Sequence, residues 1–197
     1  MGNVVADLAD RAVADRHEGY AAEIRALLDA ALTVMRQDET VDPKVVDIVR
    51  ASGLSNQAFY RHFDGKDALL VAVLADGRER LARTVGRRMT RATDRDAAVR
   101  AWMGAVIDQA RDPDAAAATR PFVANSDRLA VEYPDEVARS REQLVTPLAA
   151  WIGATFADAI YHLTMGMVHD ALAARRTPSK REVDAMIEFA MRGCGHD

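Results

Sequence analysis

The stretch from Ala51 to Phe63 constrains this chain more than any other. Gly53 is the residue type that enters the left-handed conformation at the end of a helix. Ser55 follows two positions later and offers a hydroxyl to cap the next helix. The spacing predicts a short helix ending at Gly53, a tight turn, and a second short helix opened by Ser55. That is the grammar of a helix-turn-helix, whose second helix lies in the DNA major groove.

The second helix divides into two faces. At 3.6 residues per turn, Phe59 and Phe63 fall one turn apart with Ala58 beside them, and Asn56, Gln57, Tyr60 and Arg61 take the opposite arc. Asn and Gln suit adenine edges, Arg suits guanine, and Tyr can donate to a phosphate. Read alone, the same pattern also describes an ordinary amphipathic surface helix.

Around this stretch the chain reads as all-α. It has 197 residues, 49% of them apolar and only 6% aromatic, and it lacks β-branched runs bounded by turn signals. From Tyr20 to Arg36 apolar residues recur at three and four. Asp42-Pro43 reads as a capped start for the helix that carries Val45, Val46, Ile48 and Val49. Residues 1–19 mix Val4, Val5, Leu8 and Val13 with Asp7, Asp10 and Asp15; an arm that tracks DNA is usually basic, so a frayed or packing helix is expected there. The expected organisation is an extension over 1–19, a DNA-binding domain over 20–66, and a larger helical domain over 67–197.

The formal net charge of −4 tells against a nonspecific nucleic-acid coat protein but leaves room for a local basic surface. The bases between Tyr20 and Lys66 are offset by Glu23, Asp29, Asp38, Glu39, Asp42, Asp47 and Asp64. The denser run of Arg78, Arg80, Arg83, Arg87, Arg88 and Arg91 most simply forms a solvated face. No apolar run is long enough for a membrane span, and nothing at the start reads as a secretory signal. Cys194, the single cysteine, fits a reducing cytoplasm and is a poor nucleophile candidate.

The run continues beyond Phe63. Gly53-Leu54-Ser55, then Phe59-Tyr60-Arg61-His62-Phe63, then Lys66-Asp67-Ala68-Leu69-Leu70 resembles the signature of the tetracycline-repressor (TetR) family. The resemblance covers the amino-terminal third. It implies a three-helix DNA-binding module, a long connecting helix, and a ligand-binding and dimerisation domain. It also implies phosphate contacts for Tyr60, His62 and Lys66, and base-facing positions for Asn56, Gln57 and Arg61; helical geometry puts His62 near the packed arc, so a structural role is the competing account of that residue. Ser55 belongs to the same surface. Three departures stand out. Pro43 and Lys44 occupy the positions where the family usually has Thr, with Lys44 a substitute phosphate contact. Glu39 replaces a usual loop glycine, and Met35 a usual aromatic.

Beyond Lys66 the periodicity predicts helices over Lys66–Arg91, Asp94–Arg111, from Asp112-Pro113 to Asn125, and from Tyr133-Pro134 onward with a kink or restart at Pro147. Two last helices follow, over about Thr155–Arg176 and Ser179–Arg192; by the resemblance, and because their apolar faces are wide, they are expected to form a homodimer interface. A ligand pocket is expected among Trp102, Met103, Val106, Phe122, Trp151, Tyr161, His162 and Met165, which mix apolar bulk with polar tips; plain core packing is the competing account of each. His162 and His169 share a helix face without metal-ligand spacing. No phosphate loop, zinc motif or nucleophile elbow occurs, so neither enzyme activity nor a cofactor or metal is expected.

The expected function is a ligand-responsive transcriptional regulator, a repressor that binds a palindromic double-stranded DNA operator as a homodimer and is released by a partly apolar small-molecule inducer. The alternative is a helical small-molecule or partner-protein sensor without sequence-specific DNA binding.

Overall fold

The computed structural model describes residues 4–193, with side chains described at 13, 14 and 16–193. The described residues form ten α-helices and no strand: α1 (Val4–Asp38), α2 (Val45–Ser52), α3 (Asn56–His62), α4 (Lys66–Met89), α5 (Arg95–Arg111), α6 (Pro113–Ala124), α7 (Ser126–Glu132), α8 (Pro134–Ile152), α9 (Ala154–Ala173) and α10 (Lys180–Gly193). They fall into two compact units that divide between Val73 and Leu74, within α4.

In the first unit α1 runs unbroken through both the expected extension and the expected first helix. Val13, Ala14 and residues 16–22 are exposed, although Tyr20 meets the His62 ring edge-on. Burial begins at Leu27 and continues through Leu28, Ala31, Val34 and Met35. The helix ends at Glu39, whose φ of 51° is left-handed, and the Thr40 amide donates back to the Met35 carbonyl at 3.1 Å. This is a Schellman-type stop, built on a residue other than glycine.

The start of α2 differs from expectation. The residue flanking it is Lys44, in extended conformation and without a side-chain cap; the Lys44 carbonyl accepts from Ile48 at 3.2 Å. Asp42 therefore lies too far upstream to reach the orphan amides, and its carboxylate takes the Lys66 ammonium instead. The end of α2 follows the sequence reading: Gly53 sits at φ 70°, and the Ser55 hydroxyl accepts from the Ala58 amide at 3.1 Å. Ile48, Ala58, Phe59, Phe63, Leu69 and Leu70 are buried as well, and α1, α2 and α3 contact one another.

In the second unit α5 contacts α6, α8, α9 and α10. Ala98, Val99, Trp102, Met103, Ala105, Val106, Ile107 and Ala110 bury more than half of the helix circumference, a wide face that meets several neighbours, while Arg100 and Arg111 stay exposed. Asp112 caps α6 through the Ala115 amide at 2.8 Å, with Pro113 in the first turn, as the Asp-Pro pair predicts. The short α7 was not foreseen. Nor does α8 restart at Pro147. It passes through unbroken, because Leu144, Leu148 and Ile152 stay buried on one side and offset the single hydrogen bond that proline removes.

One residue, Gly153, joins α8 to α9 at φ 80° and ψ 158°, a backbone region open essentially to glycine. At the entry to α10 the Ser179 hydroxyl accepts from the Glu182 amide at 3.2 Å while the Glu182 carboxylate accepts from the Ser179 amide at 2.7 Å. This reciprocal capping box satisfies two donors that would otherwise be orphaned.

Candidate nucleic-acid interface and sensor core

α3 is seven residues long and has one polar surface. Ala58 and Phe59 are buried on its inner side, with Phe63 packed against Phe59 at 5.8 Å between ring centroids. Asn56, Gln57, Tyr60 and Arg61 are exposed on the other, and Tyr60 keeps 59% of its surface in solvent. Such a short helix is held by tertiary packing rather than by its own propensity. Its two phenylalanines therefore set the direction in which the four polar side chains point. Ser55 is exposed while its hydroxyl caps the helix, and Lys44 is exposed at the entry to α2.

Two residues assigned to phosphate are engaged within the chain. Lys66 pairs with Asp42. His62 turns inward: its side chain is 6% exposed, and Nε2 lies 2.6 Å from a Glu23 carboxylate oxygen. The same oxygen lies 3.7 Å from the Arg61 guanidinium, which sits 5.9 Å from the centroid of the Tyr20 ring; Tyr20 meets the His62 ring edge-on at 5.4 Å. The hydrogen bond from His62, helped by the positive charge of Arg61, holds the Glu23 carboxyl below its ordinary range despite some opposing desolvation. Sequence reasoning did not single out Tyr20 or Glu23. Their one-turn spacing on α1 puts both on the same side, but nothing local says that this side meets α3.

The eight ligand candidates separate by burial. Trp102, Met103 and Val106 are wholly buried, and the Trp102 indole donates to the Leu144 carbonyl at 2.8 Å. Phe122, Tyr161 and Met165 are half-buried. Trp151 is exposed, as is His162, which lies 3.9 Å from Asp158. Tyr161 bridges the two sets, 6.4 Å from Trp102 between ring centroids and beneath the Arg141 guanidinium at 5.8 Å. Burial raises its phenol above the ordinary value.

None of the eight lines a surface cleft of about 530 Å³ bordered by Thr84, Arg88, Asp108, Gln109, Arg111 and Thr177 among others. The cleft mixes polar and apolar lining and is balanced in charge, Arg88 and Arg111 against Asp108 and Asp112, with Arg88 paired to Asp108 at 2.6 Å. The arginine run of α4 is likewise not uniformly solvated. Arg78 is buried on Glu136, at 3.1 Å from its carboxylate, and Arg80 is 2.6 Å from Asp76. Among the described residues no cluster of His, Cys, Asp and Glu has the makings of a metal site, and no helix is long and apolar enough to cross a membrane. Cys194 lies outside the described residues.

Residues 27–73 match the family model for bacterial regulatory proteins of the tetR family. No curated protein sequence matches the chain. Among solved structures, the transcriptional regulator SCO7518 of Streptomyces coelicolor A3(2) is similar with a TM-score of 0.74 at 17% identity, over 88% of this chain and 99% of that one. The fatty acid degradation regulator FadR of Bacillus halodurans has a TM-score of 0.66 at 15% identity, over 87% and 94%. A TetR family transcription regulator of Marinobacter aquaeolei VT8 has a TM-score of 0.60 at 17% identity, over 89% and 97%. At these identities the whole-chain likeness speaks to the fold, and the matched module speaks to the family. The helix-turn-helix of α2 and α3 lies inside that matched stretch, so the amino-terminal part of the chain carries a DNA-binding module like that of the tetR family of bacterial regulatory proteins.

Proposed function

We propose that the protein is a ligand-responsive repressor that binds a palindromic operator as a homodimer. The observation that carries this reading is the α3 surface: Asn56, Gln57, Tyr60 and Arg61 exposed together on a helix whose other side is anchored by Phe59. Asn56, Gln57 and Arg61 read base edges, Tyr60 donates to a phosphate, and Lys44, Ser55 and Lys66 border the backbone. For Lys66 this means exchanging Asp42 for a phosphate. His62, bonded to Glu23, acts by holding α3 in place.

Dimerisation is assigned to α9 and α10, where Phe156 and Phe189 are exposed, Phe189 to 69%. Two copies related by a two-fold axis would present two α3 helices to half-sites about one DNA turn apart. The response to an inducer is assigned to the second unit. Trp102, Met103 and Val106 form the floor of its core, and a partly apolar ligand would enter by displacing the half-buried Phe122, Tyr161 and Met165. Such a ligand stabilises whichever conformation holds the opened pocket, and repression ends if that conformation spaces the α3 helices wrongly.

The test is a gel shift with duplex DNA flanking the protein's own gene, at several salt concentrations. The expected result is a salt-sensitive complex that Arg61→Ala weakens by roughly 5- to 150-fold. A shift that is absent, or identical for wild type and Arg61→Ala, refutes operator reading and favours a sensor without sequence-specific DNA binding.

A further inference from the structure

Arg61 and His62 are adjacent on α3, yet both meet the same carboxylate of α1. Glu23 Oε2 is 2.6 Å from His62 Nε2 and 3.7 Å from an Arg61 terminal nitrogen, and the Arg61 guanidinium also lies 5.9 Å from the Tyr20 ring centroid. Tyr20 in turn packs edge-on against His62. The four side chains close a ring that joins two elements 39 residues apart in sequence.

An arginine has several rotatable bonds and loses that freedom when it engages a base edge. Arg61 is 44% exposed, enough to reach out and enough to wander. A carboxylate on one side and an aromatic face on the other restrict it before DNA arrives, which lowers the ordering cost of a directed contact. Glu23 also has an opposite effect. It adds negative charge near the residues that meet a polyanion, and so weakens binding that depends on charge alone.

We propose that Tyr20 and Glu23 are specificity-determining positioning residues: they fix the Arg61 guanidinium for base reading and suppress binding to indifferent sequence. The inference rests on the assignment of α3 as the DNA-reading helix. Glu23 thus acts in two directions, supporting the selective contact through Arg61 and opposing the unselective one through its charge. A residue that merely held the fold would support both alike.

The experiment uses the full-length protein with wild type, Glu23→Gln, Tyr20→Leu and Arg61→Ala. Glu23→Gln keeps an oxygen that can accept from His62 while removing the charge. Preferred duplexes are selected from a random-sequence pool by the wild type, and affinities are measured for the preferred duplex and a scrambled one. Glu23→Gln is expected to bind scrambled duplex several-fold more tightly and the preferred one no more tightly, cutting the ratio about tenfold. Repeating the selection with each variant should relax the base position that Arg61→Ala relaxes and leave the others intact; Tyr20→Leu should relax that position too. Equal loss of both affinities would assign Glu23 a structural role and overturn the proposal, as would an unchanged ratio. A wild type without sequence preference would overturn the DNA-reading assignment itself, a result distinct from a wild type that discriminates and a Glu23→Gln variant that discriminates equally well.

Discussion

The two units handle polar groups in opposite ways. In the first, α3 keeps Asn56, Gln57, Tyr60 and Arg61 outside and uses Phe59 to hold them there. In the second, the polar groups of the core face inward and are closed off by backbone: the Trp102 indole on the Leu144 carbonyl, the Thr164 hydroxyl on the Ile160 carbonyl at 2.7 Å. A surface that reads a ligand must keep its donors and acceptors within reach of solvent, even where one of them, as with Arg61, is held in part by the chain itself. A core must satisfy them. The α3 surface is therefore already open, whereas Trp102, Met103 and Val106, the core of the proposed ligand site, are packed and would have to rearrange to admit a ligand.

The strongest way to break this comparison is to empty each core in turn. Trp102→Ala removes the largest fully buried side chain and leaves the Leu144 carbonyl without its indole donor, for a loss of about 3–5 kcal/mol. Phe59→Ala, also fully buried, is expected to cost a similar amount. The consequences should differ. Denaturant unfolding followed by DNA titration should show Phe59→Ala abolishing binding, because α3 loses its anchor. Trp102→Ala should lower stability while the folded fraction still binds. If both variants lose binding in the same proportion as they lose folded protein, the units are not separable in function.

Backbone strain gives a second comparison. Gly153 occupies a region that essentially only glycine enters, so Gly153→Ala should cost about 1–3 kcal/mol. Gly53 at φ 70° is in the ordinary left-handed well, and Gly53→Ala should cost about 1–2 kcal/mol. Neither site places an obstacle near the added methyl, so the conformation itself is what each measurement reads. Equal losses would mean that the joint between α8 and α9 relaxes when substituted.

How legible each unit was in sequence follows from the same contrast. The turn at Gly53, the Ser55 cap and the two faces of α3 are local, set by residues within one or two helical turns, and spacing alone yields them. The Asp112 cap of α6 is equally local. The start of α2 was misread because Asp42-Pro43 is a sound local signal overridden by distance: Lys66 captures the Asp42 carboxylate from 24 residues away. Glu23 escaped notice for the same reason. In the second unit apolar periodicity located the helices but could not separate a pocket wall from a packed core. That distinction depends on whether α6, α8 and α9 close over α5, and Trp102, Met103 and Val106 look the same in sequence either way. The run through Pro147 was also beyond reach, since proline signals a break and only surrounding burial overrides it.

A smaller effect is expected at Glu39. Its left-handed backbone at φ 51° costs a non-glycine residue about 1–2 kcal/mol, and glycine is the usual residue of the resembled family there. Replacement by glycine relieves that strain but enlarges the freedom of the unfolded chain, which offsets part of the gain. Glu39→Gly should therefore stabilise by under about 1 kcal/mol in a denaturant titration. A loss would show that the contacts of the Glu39 side chain outweigh its strain.

The smallest effects are in pH dependence, because the carboxylates concerned are partly exposed and screened. One lies in the first unit and two in the second: Glu23, held low chiefly by His62; Asp94, by the Ala97 amide; and Glu182, by the Ser179 amide. Each is depressed in the folded state, so the unfolded chain takes up the proton first as pH falls. The stabilisation from each is present above its ordinary value, 4.5 for the glutamates and 3.8 for Asp94, and is lost as pH drops through the lower folded value. Thermal melts from pH 6 downward should thus fall in this window, and Glu182→Gln should flatten the slope there by removing one proton from the balance. Glu23→Gln should flatten it as well, and should do so in a DNA-binding readout too if the carboxylate serves Arg61; Glu182→Gln should leave that readout unmoved. A binding profile equally altered by both would place the coupling in global stability and remove the functional distinction between the two units.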